Sequence, residues 1–139
     1  MSRLSFVGGA LALCLPLWAQ AASALPAPVT TPSGLVYQEL KAGTGISPTA
    51  SATVRVHYRG TLANGTEFDS SYRRGEPAEF PLNRVIPCWT EGLQRMKAGG
   101  KARLTCPPSI AYGAKGAGGV IPPNATLTFE VELLAITNF

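Results

Sequence analysis

The sequence predicts an α+β domain: a curved antiparallel sheet of five to six strands wrapped around one short α-helix. Three observations carry this reading. Several segments alternate apolar and polar residues, the period of a strand with one buried face. One stretch, 85–97, instead repeats its apolar residues Trp89, Leu93 and Met96 at helical spacing. Glycine, proline and asparagine punctuate the chain between these runs. A helix of about three turns does not persist alone in water, and a sheet with one apolar face needs a cover. Packing the helix against the concave face meets both needs and leaves the other face polar and solvated.

The first two dozen residues are a different material. Met1-Ser2-Arg3 carries one positive charge, Leu4 to Trp18 is almost wholly apolar, and Ala19-Gln20-Ala21 and Ala22-Ser23-Ala24 are small-x-small cleavage sites. Residues 1–24 therefore read as a signal peptide and the chain as exported, periplasmic or secreted. Pro16 breaks an apolar run already short for a membrane span, so no membrane association is expected after cleavage. Leu13 stands before Cys14 where lipoprotein processing needs a small residue. Residues 25–34, rich in proline and small polar residues, read as a linker. Residues 35–139 form one domain, long enough to bury a proper core.

Leu35 to Lys41 is the first expected strand, with a turn at Gly43-Thr44-Gly45. From Ala52 to Arg59 the alternation is clear: Ala52, Val54, Val56 and Tyr58 face inward, Thr53, Arg55, His57 and Arg59 outward. Asn64-Gly65 is a strong hairpin signal, returning through Thr66 to Asp69. Residues 70–77 read as a loop, and Ala78 to Leu82 as another short strand. The helix opens with Pro87 at a first position that tolerates its missing N–H. It runs to Lys97 with basic residues in its last turn, and Gly99-Gly100 stops it. Lys101 to Cys106 alternates with Ala102, Leu104 and Cys106 inward. A long loop, 107–123, precedes a final strand, Thr126 to Leu133, with Leu127, Phe129, Val131 and Leu133 inward.

Composition removes several function classes. The net charge of +4 is spread along the chain and favours solubility over nucleic-acid binding. Arg73-Arg74 has no broader basic patch around it, and a local pairing with Asp69 or Glu76 is expected. The single histidine, His57, lies on the polar strand face with no nucleophile signature near it and reads as solvated. The glycines of 107–123 match neither phosphate-loop pattern, yet a loop this long in a compact domain is usually functional.

The chain resembles the FKBP family, the immunophilins that act as peptidyl-prolyl cis-trans isomerases. The resemblance rests on Val56-His57-Tyr58-Arg59-Gly60, on 65–71 (Gly-Thr-Glu-Phe-Asp-Ser-Ser), on 85–93 (Val-Ile-Pro-Cys-Trp-Thr-Glu-Gly-Leu), on Ala111-Tyr112-Gly113 and on 121–127 (Ile-Pro-Pro-Asn-Ala-Thr-Leu), in the family's order. It implies that Trp89 floors a pocket walled by Tyr58, Phe68, Val85, Ile86, Ile121 and Phe129. Asp69, Arg74 and Tyr112 are its implied polar groups, and the Ile86 N–H and Tyr112 hydroxyl its implied donors to substrate carbonyls. Asp69, Tyr112, Trp89 and Phe68 are the implied catalytic set. The resemblance also notes two smaller residues at the rim, Ala78 and Ala117, where family members carry larger ones.

The implied activity is isomerisation of X–Pro bonds in exported polypeptides, with no metal and no cofactor. The alternative is a prolyl-binding folding chaperone module with little isomerase activity. Expected partners are proline-containing polypeptides and macrolide inhibitors, with no nucleic acid, and the protein is expected to be a monomer. Cys88 and Cys106 remain once the leader is removed. An even count in an exported chain suggests a disulfide, and family topology makes the two neighbours; two buried free thiols are the alternative. Two cysteines and a distant His57 do not make a four-ligand metal site.

Overall fold

The computed structural model describes residues 25–139. The leader read at 1–24, with Cys14, lies outside them. Seven strands form one antiparallel sheet: β1 (Val29–Thr30), β2 (Val36–Lys41), β3 (Thr53–Leu62), β4 (Glu67–Ser70), β5 (Ala78–Pro81), β6 (Lys101–Cys106) and β7 (Leu127–Asn138). Their order is β1-β2-β6-β7-β3-β4, with β5 also on β3. Alternation in β3, β6 and β7 puts Val54, Val56, Tyr58, Ala102, Leu104, Cys106, Leu127, Phe129, Val131 and Leu133 on one buried face.

That face covers the helix α2 (Pro87–Gln94). Cys88, Trp89 and Leu93, with Met96 just beyond, join the strand residues in one core. The helix lies close to β6: a Cβ built on Gly92 would meet both Leu104 methyls at 2.8 Å. Cys88 and Cys106, both with no exposed surface, form a disulfide with Cα atoms 5.7 Å apart. It ties the first turn of α2 to the end of β6.

The helix is shorter than its apolar spacing predicts. Beyond Gln94 the Arg95 and Met96 amides donate three residues back, to Gly92 and Leu93, at 3.0 and 3.1 Å. Gly99 N–H then donates to Leu133 at 2.8 Å, and Leu133 N–H to Gly100 at 3.0 Å. Backbone pairing with β7 thus competes for residues 99–100 and ends the helix early. Arg95 becomes its cap residue, so the basic last turn is not formed. Met96 still completes the apolar stripe, at 2% exposure.

Two further elements exceed the expectation. β1 lies within the segment read as a linker, with Val29 opposite Tyr37 and Thr30 opposite Val36. Thr31 N–H donates to Leu35 at 2.8 Å behind it. A two-residue strand held by backbone bonds has no periodicity to reveal it. Within the expected loop 70–77, Ser71–Arg74 form a single helical turn, α1. The Ser70 hydroxyl caps it by accepting from Arg73 N–H, and Gly75 closes it in the left-handed region, φ 81°. The hairpin at Asn64-Gly65 forms as read, with Gly65 N–H to Leu62 and Leu62 N–H to Thr66.

Candidate active site

A cleft of about 430 Å³ opens where α2 meets the concave sheet. Each wall comes from a different element. β3 contributes Tyr58, β4 Phe68 and Asp69, β5 Phe80, β7 Phe129, the approach to α2 Arg84, Val85 and Ile86, and the long loop Tyr112. Trp89 projects from the first turn of α2 and is 4% exposed. Three rings stand nearly perpendicular to its indole: Tyr58 at 5.2 Å, Phe80 at 5.4 Å and Phe129 at 5.4 Å between centroids. Phe68 stands edge-on to Phe129 at 5.6 Å. Perpendicular packing suits the quadrupoles of these rings and makes the walls of the cleft rigid and apolar.

Glycine is required at one point of this wall. A Cβ on Gly60 would come within 2.6 Å of the Phe68 ring and 3.0 Å of Phe129. The bare backbone of β3 therefore lets the two rings pack over it.

The polar groups form a closed triangle. Tyr58 Oη donates to Asp69 Oδ2 at 2.5 Å, Arg74 Nη1 donates to Asp69 Oδ1 at 2.6 Å, and Arg74 Nη2 donates to Tyr58 Oη at 3.0 Å. Ser70 N–H adds a bond to Asp69 at 2.9 Å. Burial alone would raise the Asp69 carboxyl, but the Tyr58 and Arg74 hydrogen bonds, the Arg74 charge and the Ser70 amide outweigh it, so its pKa is lowered. Burial and the bond to Asp69 raise the Tyr58 phenol above its ordinary value. Tyr58 thus remains a neutral donor and Asp69 an anion across neutral pH.

Behind the triangle a second network holds Tyr58 by its backbone. Ser71 Oγ, with no exposed surface, accepts from Tyr58 N–H at 2.7 Å and meets His57 Nδ1 at 2.8 Å. His57 also stacks on Tyr72, centroids 4.6 Å apart. The histidine read as solvated is therefore packed and hydrogen-bonded, because α1 folds over the outer face of β3.

Of the residues expected at the site, the structure brings Tyr58, Phe68, Asp69, Val85, Ile86, Trp89, Tyr112 and Phe129 together around the cleft. Two lie elsewhere. Arg74 sits outside the lining and braces Asp69 and Tyr58 from behind. Ile121 is 6% exposed within the core. The long loop folds back on itself there, with Ala117 and Ile121 exchanging backbone bonds at 2.9 and 3.0 Å. Of Arg73-Arg74, Arg74 makes the expected local pair with Asp69 at 2.6 Å, and Arg73 pairs with Glu67 at 2.9 Å. Sequence reasoning missed Phe80 and Arg84. Phe80 was legible: it stands two residues from Ala78 on one strand face, and supplies an aromatic wall beside the small residue. Nothing local marks Arg84.

Among the described residues, neither the Ile86 amide nor the Tyr112 hydroxyl has a protein acceptor. Both are donors at the edge of an apolar cleft. An aromatic box with a few donors at its rim takes a compact apolar ring out of water and leaves the flanking peptide groups accessible. That fold and site define an immunophilin-type domain.

The chain belongs to the FKBP-type peptidyl-prolyl cis-trans isomerase family, whose model matches residues 44–134. It is 60% identical over 107 residues to the FKBP-type peptidyl-prolyl cis-trans isomerase FkpA of Aeromonas hydrophila, covering 77% of this chain and 40% of that protein. The crystal structure of FkpA from Escherichia coli superposes with a TM-score of 0.79 at 49% identity, covering 88% of this chain and 57% of that one. A peptidyl-prolyl cis-trans isomerase structure from Pseudomonas syringae pv. tomato gives 0.75 at 41% identity, over 86% of this chain and 88% of that one. The chain thus spans about two fifths of the length of the FkpA relatives it matches.

Proposed function

We propose that this protein is a peptidyl-prolyl cis-trans isomerase acting on exported polypeptides. One observation carries the reading: an indole boxed by perpendicular rings, beside the unpartnered Ile86 N–H and Tyr112 hydroxyl. The planar X–Pro amide is held by resonance behind a barrier of roughly 18–20 kcal/mol. Twisting the bond removes that resonance and makes the amide less polar. A dry aromatic cleft therefore stabilises the twisted amide more than the planar one, which is differential binding of the transition state. Trp89 and the surrounding rings hold the proline, and the Ile86 and Tyr112 donors hold flanking carbonyls. The Tyr58–Asp69–Arg74 triangle keeps the wall in place. No covalent step is needed.

The reading extends to the rest of the chain. Residues 1–24 act as a cleaved leader, 25–34 connect, and 35–139 form the isomerase domain in the periplasm or outside the cell. The leader composition and an oxidised Cys88–Cys106 pair support export. Macrolide binding in the same cleft and a monomeric state complete the proposal; calorimetry and light scattering read them.

The test is the cis-to-trans rate of a short X–Pro peptide. The protein is expected to accelerate it well beyond the uncatalysed tens of seconds. Asp69→Ala and Tyr112→Phe should weaken the effect, and Trp89→Leu should weaken it while leaving the fold standing. A folded protein that gives no acceleration would be a prolyl-binding module instead.

A further inference from the structure

The cleft carries two formal charges in its lining, Asp69 and Arg84. Asp69 is already matched by Arg74 at 2.6 Å. Arg84 is matched by nothing: among the described residues, the five ion pairs engage Arg55, Arg59, Arg73, Arg74 and Arg103. Nor does its guanidinium donate to any other side chain or carbonyl among them.

The backbone that bears Arg84 is firmly placed. Arg84 ends a 3-10 turn, Leu82–Arg84. Leu82 has no exposed surface. Its N–H donates to Ala52 at 2.9 Å, and its carbonyl accepts from the Thr90 hydroxyl at 2.5 Å. Val85 and Ile86, the next two residues, are cleft walls. The main chain at Arg84 therefore belongs to the rigid site, while the exposed guanidinium is free to reorient over the rim.

We propose that Arg84 is a specificity-determining residue, which selects substrates with a carboxylate side chain next to the isomerised proline. This rests on the isomerase reading and names the substrate class for it. An uncompensated guanidinium beside an apolar cleft attracts an anion there and repels a cation, and its planar fork matches a carboxylate. The pair would be exposed to solvent, so its effect is modest, about two- to fivefold, and is screened by salt.

The experiment compares peptides that differ only in Glu against Gln, which are close in shape and unequal in charge. One series places the pair just before the proline and a second just after it. The readout is the Glu-to-Gln ratio of kcat/KM in low salt. The wild-type ratio is expected at about two to five in one of the two series. It should fall to about one in Arg84→Gln, reverse in Arg84→Glu, and fall to about one in 1 M salt, where screening reaches about 3 Å. A wild-type ratio of one or below in both series overturns the proposal, as does a ratio unmoved in Arg84→Gln. If neither peptide is accelerated by wild type, the isomerase reading fails on its own. The same ratio taken from dissociation constants, followed by Trp89 fluorescence, then decides Arg84.

Discussion

Tyr58 shows how single residues here serve both strand and site. Its ring is a cleft wall, its hydroxyl belongs to the Asp69–Arg74 triangle, and its amide is held by Ser71. Ser71→Ala removes a buried hydroxyl and leaves the Tyr58 N–H without a partner. An orphaned buried donor costs about 1–3 kcal/mol, so the unfolding free energy should fall by that amount, read as a lower urea midpoint at unchanged slope. An unaltered midpoint would mean that water replaces the serine. Asp69 gives a pH prediction. Its folded pKa is lowered, so the stabilisation it carries is complete above the ordinary carboxylate value and is lost as pH falls through the folded one. Asp69→Asn should be less stable at neutral pH, and its melting temperature should fall less steeply than the parent's below about pH 4. Parallel acid limbs for the two proteins would count against the triangle.

The elements meet where α2, β6 and the long loop converge. The disulfide joins Cys88, next to the Trp89 floor, to Cys106, one residue before the loop that carries Tyr112. It closes a loop across a sequence separation of 18, for which the chain-entropy model gives about 3 kcal/mol. The reduced protein, or the Cys88→Ala/Cys106→Ala variant, should therefore melt several degrees lower. Because the helix stripe and the strand faces bury one continuous apolar core, the reduced chain is expected to fold. Circular dichroism with and without reductant checks both points, and identical melting curves would sink the first.

At the scale of the molecule, the sheet is built around β3, which pairs with β7 along one edge and with β4 and β5 along the other. Opening β3 means opening the sheet. Hydrogen exchange should accordingly be slowest at amides of the β3–β7 ladder and fastest in 107–123, where backbone bonds stay within the loop or lie at its ends. Mass spectrometry of exchanged fragments would show it. Equal protection in the loop would mean that the cleft rim is as rigid as its floor. The contrast matters for the proposed isomerase, because Trp89 and Tyr58 stand on the rigid part and Tyr112 on the loop.

Local pattern alone settles which faces are buried. Alternation through Val54, Val56 and Tyr58, and through Leu127, Phe129 and Val131, is a local signal of a one-faced strand. Trp89, Leu93 and Met96 likewise announced the helix face. The resemblance supplied eight of the residues that gather at the cleft. The rest was settled by the folded chain: the β1 pairing, the early end of α2 at Gln94, the packed His57 and the presence of Arg84 at the site. One cause underlies them all. Periodicity reports which side of an element avoids water, whereas these features are settled by partners distant in the chain, such as Leu133 for Gly99 or Ser71 for Tyr58, and such bonds leave no mark on the local pattern.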